Sequence, residues 1–192
     1  MLQVDKIVNS FFDSITWLLS EDGSSRVWLV DCGDVLPIIE KVEGKIISGV
    51  LLTHAHYDHI YGLPKLLELF PECKVYTNSF GKDALASAKK NLSRYHDNPI
   101  EINESFVSVI NEGSGVELFP NVVASVYETP GHNPSCLCFK VGGYFFTGDA
   151  YIPGIPSVTN LPGGNKELSK LSEDRIKTLL GNLTALPGHY II

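Results

Sequence analysis

The stretch Ile46–His59, with the sequence IISGVLLTHAHYDH, decides the fold of this 192-residue chain. Its first part is a nearly continuous apolar run, typical of a strand that is buried on both faces. Directly after this strand come three imidazoles and one carboxylate, at His54, His56, Asp58 and His59. Imidazole nitrogen and carboxylate oxygen are preferred ligands of zinc and of other borderline divalent metals. The stretch therefore predicts a metal site at the end of a buried strand, the alternative being a solvated loop that holds histidines by chance.

Three further polar residues follow predicted strands later in the chain. The triplet Pro-Gly-His occurs twice, ending at His132 and at His189, and Asp149 ends the sequence Phe-Thr-Gly-Asp. Glycine before histidine lets the backbone turn sharply or approach closely, and proline restricts the entry to the turn. An isolated aspartate of this kind is usually a turn or cap residue. These three residues become candidate ligands through their combination with the first cluster.

The composition predicts one globular domain over residues 1–192. Hydrophobic residues make up 44% of the chain and charged residues 19%, which is typical of a globular protein. The formal net charge is −7, and the largest basic block is the pair Lys89 and Lys90. Strong attraction to a phosphate backbone is therefore not expected, and nucleic acid is a poor candidate substrate.

The first twenty residues predict neither a signal peptide nor a membrane anchor. They combine Asp5 and Asp13 with a single cation, Lys6, and lack an unbroken apolar stretch. No run in the chain approaches the length of a transmembrane segment. We therefore expect a cytoplasmic protein without membrane contact, whose four cysteines are reduced and packed.

Both halves of the sequence offer strands followed by helices. A polar stretch with an Asp-Gly turn signal joins strands at 14–20 and 26–31. Apolar residues at helical spacing predict a helix from His59 to Phe70, a second at 82–95 and a last one at 172–180. Strands are expected at 122–128, 137–141 and 144–147. This order indicates an α/β (α+β) protein in which helices cover packed β-layers.

The motifs HxHxDH, PGH, GD and PGH, in this order and at these separations, resemble those of the metallo-β-lactamase-fold hydrolase superfamily. The resemblance runs from about Ser14 to His189 and is greatest with the small single-domain branch related to glyoxalase II. It implies a four-layer αββα sandwich with two divalent metals at one edge of the sheets. Zinc is the usual metal, with iron or manganese as alternatives.

The resemblance also implies a role for each candidate residue. The first metal would be bound by His54, His56 and His132, the second by Asp58, His59 and His189, and both by Asp149. The implied reaction is hydrolysis of a small ester, thioester or lactone by a hydroxide that bridges the two metals. Asp58 and Asp149 are the implied catalytic residues, and Asp58 would also orient the nucleophile or accept its proton.

Other residues near the motifs have less certain assignments. Asp31 resembles the family's aspartate that supports the ligand loop, but a turn aspartate before Gly33 is an equal alternative. His96 matches no ligand position and is interpreted as a surface residue. Tyr57 and Tyr190 flank ligands and either line the pocket or pack.

The chain departs from glyoxalase II in two places. It ends three residues after His189, where glyoxalase II continues into a helical domain that binds glutathione, and residues 150–159 contain no Arg or Lys. Both departures argue against hydroxyacylglutathione as the particular substrate. Pro134-Ser135 also replaces the commoner Pro-Gly after the third ligand.

Three alternative functions stay open on the sequence. A persulfide dioxygenase of the same fold would use one iron, held by His54, His56, His132 and Asp149. A β-lactamase-type amide hydrolase would use the two-metal site, and a structural metal site would have no turnover. The substrate, the native metal and the oligomeric state are not specified by the sequence.

Overall fold

Two β-sheets, described over residues 1–190 by a computed structural model, form the centre of the molecule. The first sheet has six strands in sequential order: β1 Leu2–Val8, β2 Ile15–Glu21, β3 Arg26–Val30, β4 Ile46–Leu51, β5 Lys74–Thr77 and β6 Val107–Val109. The second sheet has the order β11-β10-β9-β8-β7: β7 Gly115–Phe119, β8 Val122–Glu128, β9 Leu137–Val141, β10 Tyr144–Gly148 and β11 Thr184–Pro187. In the first sheet, the pairing changes from antiparallel to parallel at β3–β4. In the second sheet, it changes at β10–β11.

Five α-helices lie outside the sheets. They are α1 Val35–Val42, α2 Tyr57–Ile60, α3 Leu63–Leu69, α4 Ser79–Leu85 and α5 Lys166–Leu180, with 3-10 turns at Ser93–Tyr95 and Glu104–Phe106. Within the part of the chain that the structure describes, no helix has the length and apolar character needed to cross a bilayer.

The central core lies between the two sheets. Successive residues of a strand face opposite sides, and one side of each sheet supplies this core, for example Leu19 and Val30 opposite Phe139 and Phe146. The buried indole of Trp28 donates a hydrogen bond to the Leu118 carbonyl oxygen at 2.8 Å. This bond joins β3 of the first sheet to β7 of the second.

The outer faces of the sheets are covered by helices. Leu18 and Val50 of the first sheet pack in one cluster with Ile38 of α1 and Leu66 of α3. On the second sheet, Cys138 and Phe145 share a smaller cluster with Ile176 of α5. The layers are therefore helix, sheet, sheet, helix, which confirms the predicted αββα sandwich.

Three predicted helices have different bounds in the structure. The helix predicted at 82–95 ends at Leu85, because Asn91 and Ser93 turn inward to hydrogen-bond the backbone of Ile100. The helix predicted at 172–180 begins at Lys166, since the side chain of Asn165 accepts hydrogen bonds from the first backbone N–H groups. The helix predicted from His59 is divided into α2 and α3. The sequence analysis did not predict β1, β6 and β7, and it gave no bounds for β11, the strand before His189.

Candidate metal centre

The seven candidate ligands converge at one end of both sheets. His54 and His56 follow β4, and Asp58 and His59 lie on α2. The other three follow strands of the second sheet: His132 comes after β8, Asp149 after β10 and His189 after β11. Their ligand atoms form three groups in which all distances are within 4.8 Å: His54 with His56 and His132; His54 with His59 and Asp149; and Asp58 with His59 and His189.

Asp31 organises the first sheet's contribution to this centre. Its Oδ1 accepts the backbone N–H of Thr53 at 2.7 Å, and its Oδ2 accepts the Thr53 hydroxyl at 2.7 Å. The same Oδ2 lies 2.9 Å from Nδ1 of the buried His59 ring. A carboxylate in this position fixes the ring with its Nε2 facing the centre. The supporting role, rather than the turn role, therefore describes Asp31 in this structure.

Thr53 orients His54 in the same way. The Thr53 hydroxyl proton goes to Asp31, so its oxygen can only accept from His54 Nδ1, which lies 3.2 Å away. The proton of the neutral His54 ring is thus on Nδ1, and the lone pair of Nε2 points into the centre.

Backbone carbonyls orient the rings of the second sheet. Nδ1 of His132 lies 2.7 Å from the Val158 oxygen, and Nδ1 of His189 lies 3.0 Å from the Phe12 oxygen. A carbonyl can only accept, so each Nδ1 carries a proton. In the neutral rings, both Nε2 atoms therefore face the centre with lone pairs.

The centre has more acceptors than donors. His54 Nε2 and Asp149 Oδ1 are buried and have no hydrogen-bond partner within residues 1–190. Nε2 of His59 lies 3.2 Å from Nε2 of His189 and 3.5 Å from Asp149 Oδ1. Buried polar atoms are almost always paired, and facing lone pairs repel each other. This donor set fits divalent cations of borderline character.

The carboxylates shift the pKa values of the nearest rings. Burial by itself lowers the pKa of His59, but the charges of Asp58, Asp149 and Asp31 raise it well above its ordinary value. Burial also lowers the pKa of His189, and a hydrogen bond to Asp58 and the charge of Asp149 outweigh this effect and raise it. Protons on these rings balance the negative charge that a metal cation would otherwise balance.

The remaining shifts have the opposite sign. Burial raises the pKa of Asp58, yet the charge of His59 and a hydrogen bond from His189 hold it well below its ordinary value. Burial and the neighbouring rings lower the pKa of His54 well below its usual range. Burial and His132 lower the pKa of His56 to about 3. Asp58 is therefore ionised at neutral pH, and His54 and His56 are neutral, as metal ligation requires.

Both Pro-Gly-His triplets need glycine for close approach. A Cβ at Gly131 would collide with the backbone of Ser169 in α5. A Cβ at Gly188 would lie against the Asp149 carboxylate and 2.7 Å from His59 Cε1. The two glycines let the chain pass close enough to bring His132 and His189 to the centre.

The other flanking residues lie around the centre. His96 is half-buried and stacks on the Tyr57 ring with a centroid distance of 3.9 Å, so it is not the free surface residue that the sequence suggested. Tyr190 is 42% exposed and packs edge-on against Trp17. Neither His96 nor Tyr190 belongs to the three ligand groups.

Sequence reasoning missed the groups that orient the ligands. Thr53 and Asn133 each adjoin a candidate ligand in the chain, and this adjacency is the signal that could have identified them. The carbonyl groups of Phe12 and Val158 leave no signal in the sequence, because every residue has such a group.

A model of the metallo-β-lactamase superfamily matches residues 12–189. The chain belongs to this superfamily. Its candidate metal ligands lie together at one end of the two sheets.

A relative within the superfamily is the hydroxyacylglutathione hydrolase of Enterobacter sp. (strain 638). It is 29% identical over 188 residues, which are 96% of this chain and 62% of that protein. The chain spans about half to two thirds of the length of the curated relatives it matches.

Two solved structures share the metallo-β-lactamase fold of this chain. The B3 metallo-β-lactamase BLEG-1 has a TM-score of 0.84 at 23% identity, covering 100% of this chain and 92% of that one. TTHA1623 in a di-iron-bound form has a TM-score of 0.80 at 24% identity, covering 98% and 93%. At these identities the similarity shows the fold.

A cleft of about 550 Å³ lies beside the loop that follows His132. The residues that line it include Asn133, Pro134, Phe80, Lys89 and Lys90. Asn133 also contacts His56, so the cleft adjoins the candidate metal centre. Its volume is in the range of small-molecule sites.

Proposed function

We propose that this protein is a metal-dependent hydrolase of a small ester or thioester. The observation that carries the proposal is the convergence of imidazole and carboxylate acceptors without matching donors. The buried and unpaired atoms His54 Nε2 and Asp149 Oδ1 are the clearest case, because burying such atoms without a partner is costly. A structural metal site is disfavoured, since such sites are usually closed by four ligands, whereas seven candidate ligands converge here.

Two divalent metals would be held by the seven residues. One would bind His54, His56 and His132, the other would bind Asp58, His59 and His189, and Asp149 would contact both. Zinc is proposed for both sites, with iron or manganese as alternatives. When bound, such ions polarise a carbonyl group and lower the pKa of a water molecule.

Asp58 and Asp149 are the proposed catalytic carboxylates. Asp58 Oδ2 lies 3.2 Å from His189 Nε2 and 3.4 Å from His59 Nε2. Because Asp58 is ionised and partly exposed, it can orient the attacking water and accept its proton at Oδ2. The proton then passes to the leaving thiolate or alkoxide, so that water and the ester yield an acid and a thiol or alcohol.

A thioester is the proposed bond type because several curated relatives of the chain are hydroxyacylglutathione hydrolases. Residues 150–159 next to Asp149 contain no Arg or Lys, which favours an acyl thioester other than hydroxyacylglutathione. The cleft beside Asn133 supports a small-molecule substrate. Cytoplasmic location and the absence of nucleic-acid partners stay predictions.

The test combines metal quantification with a panel of thioesters, esters, lactones and β-lactams, hydroxyacylglutathione included. We expect about two divalent ions per chain and the fastest turnover with a thioester. Asp58→Ala and His132→Ala should each lower metal content and reduce turnover by about 10²-fold or more. His96→Ala is the matched control, since His96 is outside the ligand groups, and it should keep its metal.

Full activity in Asp58→Ala or His132→Ala would contradict the assigned site. One iron per chain with oxygen uptake would contradict hydrolysis and favour a dioxygenase. Two ions without turnover on any ester or thioester would contradict the proposed reaction.

A further inference from the structure

Asn133, which follows the candidate ligand His132, is held in one orientation by Ser135. Its Oδ1 accepts the backbone N–H of Ser135 at 2.9 Å and the Ser135 hydroxyl at 2.7 Å. A backbone N–H can only donate, so the atom facing it must be the amide oxygen. The Ser135 oxygen itself accepts the backbone N–H of Ala55 at 3.1 Å, which leaves its proton for Asn133. All four residues are buried.

The other end of the Asn133 amide therefore presents a donor to His56. Asn133 Nδ2 lies 2.9 Å from His56 Nε2. An amide nitrogen can only donate a hydrogen bond, so His56 Nε2 must be the acceptor. A neutral imidazole has one N–H group, so the His56 proton is on Nδ1.

The proton on Nδ1 completes a chain of bonds that leads away from Asn133. His56 Nδ1 lies 2.9 Å from His132 Nε2, whose ring donates from Nδ1 to the Val158 oxygen. Every group in the series Asn133, His56, His132 and Val158 thus has a partner. His56 is satisfied without a cation, whereas His54 Nε2 is not.

A cation among His54, His56 and His132 needs the lone pair of the nitrogen that His56 points at His132, which is Nδ1. The proton would then move to Nε2 and face the Asn133 N–H, placing two donors 2.9 Å apart. Asn133 can relieve this conflict only by turning, which breaks its two bonds to Ser135. In the rings of His59 and His189, a carboxylate and a carbonyl hold a proton on Nδ1, so Nε2 is the nitrogen that faces the centre.

We propose that Asn133 is a positioning residue that keeps the His56 proton on Nδ1 and thereby weakens cation binding by His54, His56 and His132. The inference rests on the proposed two-metal function. It predicts that removing the Asn133 donor strengthens cation binding by His54, His56 and His132. Asn133 would thus set the ratio of one-metal to two-metal protein.

The first measurement is the proton position on His56 in the chelator-treated full-length protein, by ¹⁵N NMR of labelled histidine. We expect the proton on Nδ1 in the wild type and on Nε2 in Asn133→Asp, whose carboxylate accepts from both Ser135 and His56. A wild-type proton on Nε2 would overturn the proposal.

The second measurement is a zinc titration by calorimetry. Asn133→Asp should raise the affinity of the site at His54, His56 and His132 by about 10-fold, the lower end of the range for groups that orient a metal ligand. Asn133→Ala removes the donor without adding charge and should raise it by about 3-fold or more. The control Asn78→Asp changes a buried amide that bonds the Pro134 oxygen but no ligand ring, and it should bind zinc like the wild type.

Weaker or unchanged zinc binding in Asn133→Ala would mean that Asn133 supports the site, which overturns the proposal. An equal gain in Asn78→Asp would assign the effect to charge alone and also overturn it. If the wild type binds no zinc, the proposed function fails. If the wild type binds two equal ions and the Asn133 variants match it, only the present inference fails.

Discussion

At the scale of single residues, Asp31 holds together parts of the site that the sequence keeps apart. It binds Thr53 and His59 through both carboxylate oxygens, with its own backbone in the left-handed region at φ 61°. A non-glycine residue in this region is uncommon, and aspartate is among the residues that tolerate it best. In this conformation, one buried carboxylate orients two candidate ligand rings, His59 directly and His54 through Thr53.

Asp31→Asn should lower zinc affinity by about 10–100-fold. The oxygen of the new amide can still accept a hydrogen bond from Thr53. The amide nitrogen is a donor, however, and cannot accept a hydrogen bond from the N–H group of His59. The measurement is competition with a chelating dye. Asp34→Asn is the control, because Asp34 accepts bonds from Ser10 and Tyr61 without contact to a ligand, and a loss as large as that in Asp31→Asn would refute the explanation.

Gly188→Ala should abolish stable binding of an ion at Asp58, His59 and His189, although it adds only one methyl group. The new Cβ would lie against the Asp149 carboxylate and His59, so the His189 loop would have to withdraw. Gly143→Ala, at a position with nothing within 4 Å, should keep both ions. Metal analysis after dialysis distinguishes the two variants, and two retained ions in Gly188→Ala would disprove the steric argument.

The candidate ligands could be selected from the sequence because their side chains have few uses other than metal binding when they occur in this order. The groups that orient them could not be predicted in this way, because hydroxyl, amide and carbonyl groups occur in every loop. These groups are Thr53, Asn133 and the carbonyl groups of Phe12 and Val158. Their role depends on which atoms face each other. That information comes from tertiary contacts between segments far apart in the chain, such as Phe12 and His189.

At the scale of elements, the helix bounds differ from the predicted ones where tertiary contacts outweigh the local helix propensity. The stripe from Lys82 to Tyr95 has helical spacing, but Leu92 adopts a left-handed conformation and Asn91 bonds Ile100 instead of continuing the helix. For α5, the sequence suggested a start near Ser172 because acidic residues follow. The hydroxyl of Ser172 instead bonds the Pro130 oxygen, and Asn165 caps the helix.

Helix α5 is also linked to the second sheet by Arg175. Its guanidinium binds both carboxylate oxygens of Glu112, at 2.6 and 3.1 Å, and the Glu128 carbonyl oxygen at 3.0 Å. Burial by itself raises the pKa of Glu112, but the hydrogen bonds and charge of Arg175 lower it below its ordinary value. Because both side chains are more than 40% exposed, solvent screens the pair.

Glu112→Gln should therefore lower the free energy of unfolding by less than about 1 kcal/mol at pH 7. A carboxyl group with a lowered pKa stabilises the folded state above its ordinary pKa of about 4.3, and this contribution is lost as the pH falls through the folded pKa. The difference between wild type and variant should thus shrink as the pH falls below the ordinary pKa of the carboxyl group. Urea unfolding across this range measures it, with the exposed Glu40→Gln as control; a difference that grew at low pH would have the wrong sign.

At the scale of the whole molecule, the candidate centre joins two halves that are otherwise held by the core between the sheets. His54 to His59 come from the first sheet, and His132, Asp149 and His189 come from the second. The four-layer order followed from the motif resemblance. The edge strands β1, β6 and β7 could not be read from the sequence, because each is short or polar on one face and forms only by pairing with distant strands.

Zinc should stabilise the whole fold, since the unfolded chain cannot bring ligands from both sheets together. At a free concentration about 100 times Kd, binding contributes about 2.7 kcal/mol, which corresponds to a rise in Tm of about 5–10 °C. Calorimetry with and without a chelator measures this change. The variant His132→Ala should show a smaller rise, and an unchanged wild-type Tm would mean that the ions do not link the halves.

The two tryptophans of the chain also follow from this architecture. Both are buried between the sheets, and the Trp17 indole donates to the oxygen of Pro187, two residues before His189, whereas Trp28 reaches Leu118 in a strand outside the ligand set. The protein thus carries its own pair of fluorescent reporters, one beside the ligand loop and one remote from it. Emission from a Trp28→Phe variant would register movement of the His189 loop in real time, without any attached dye.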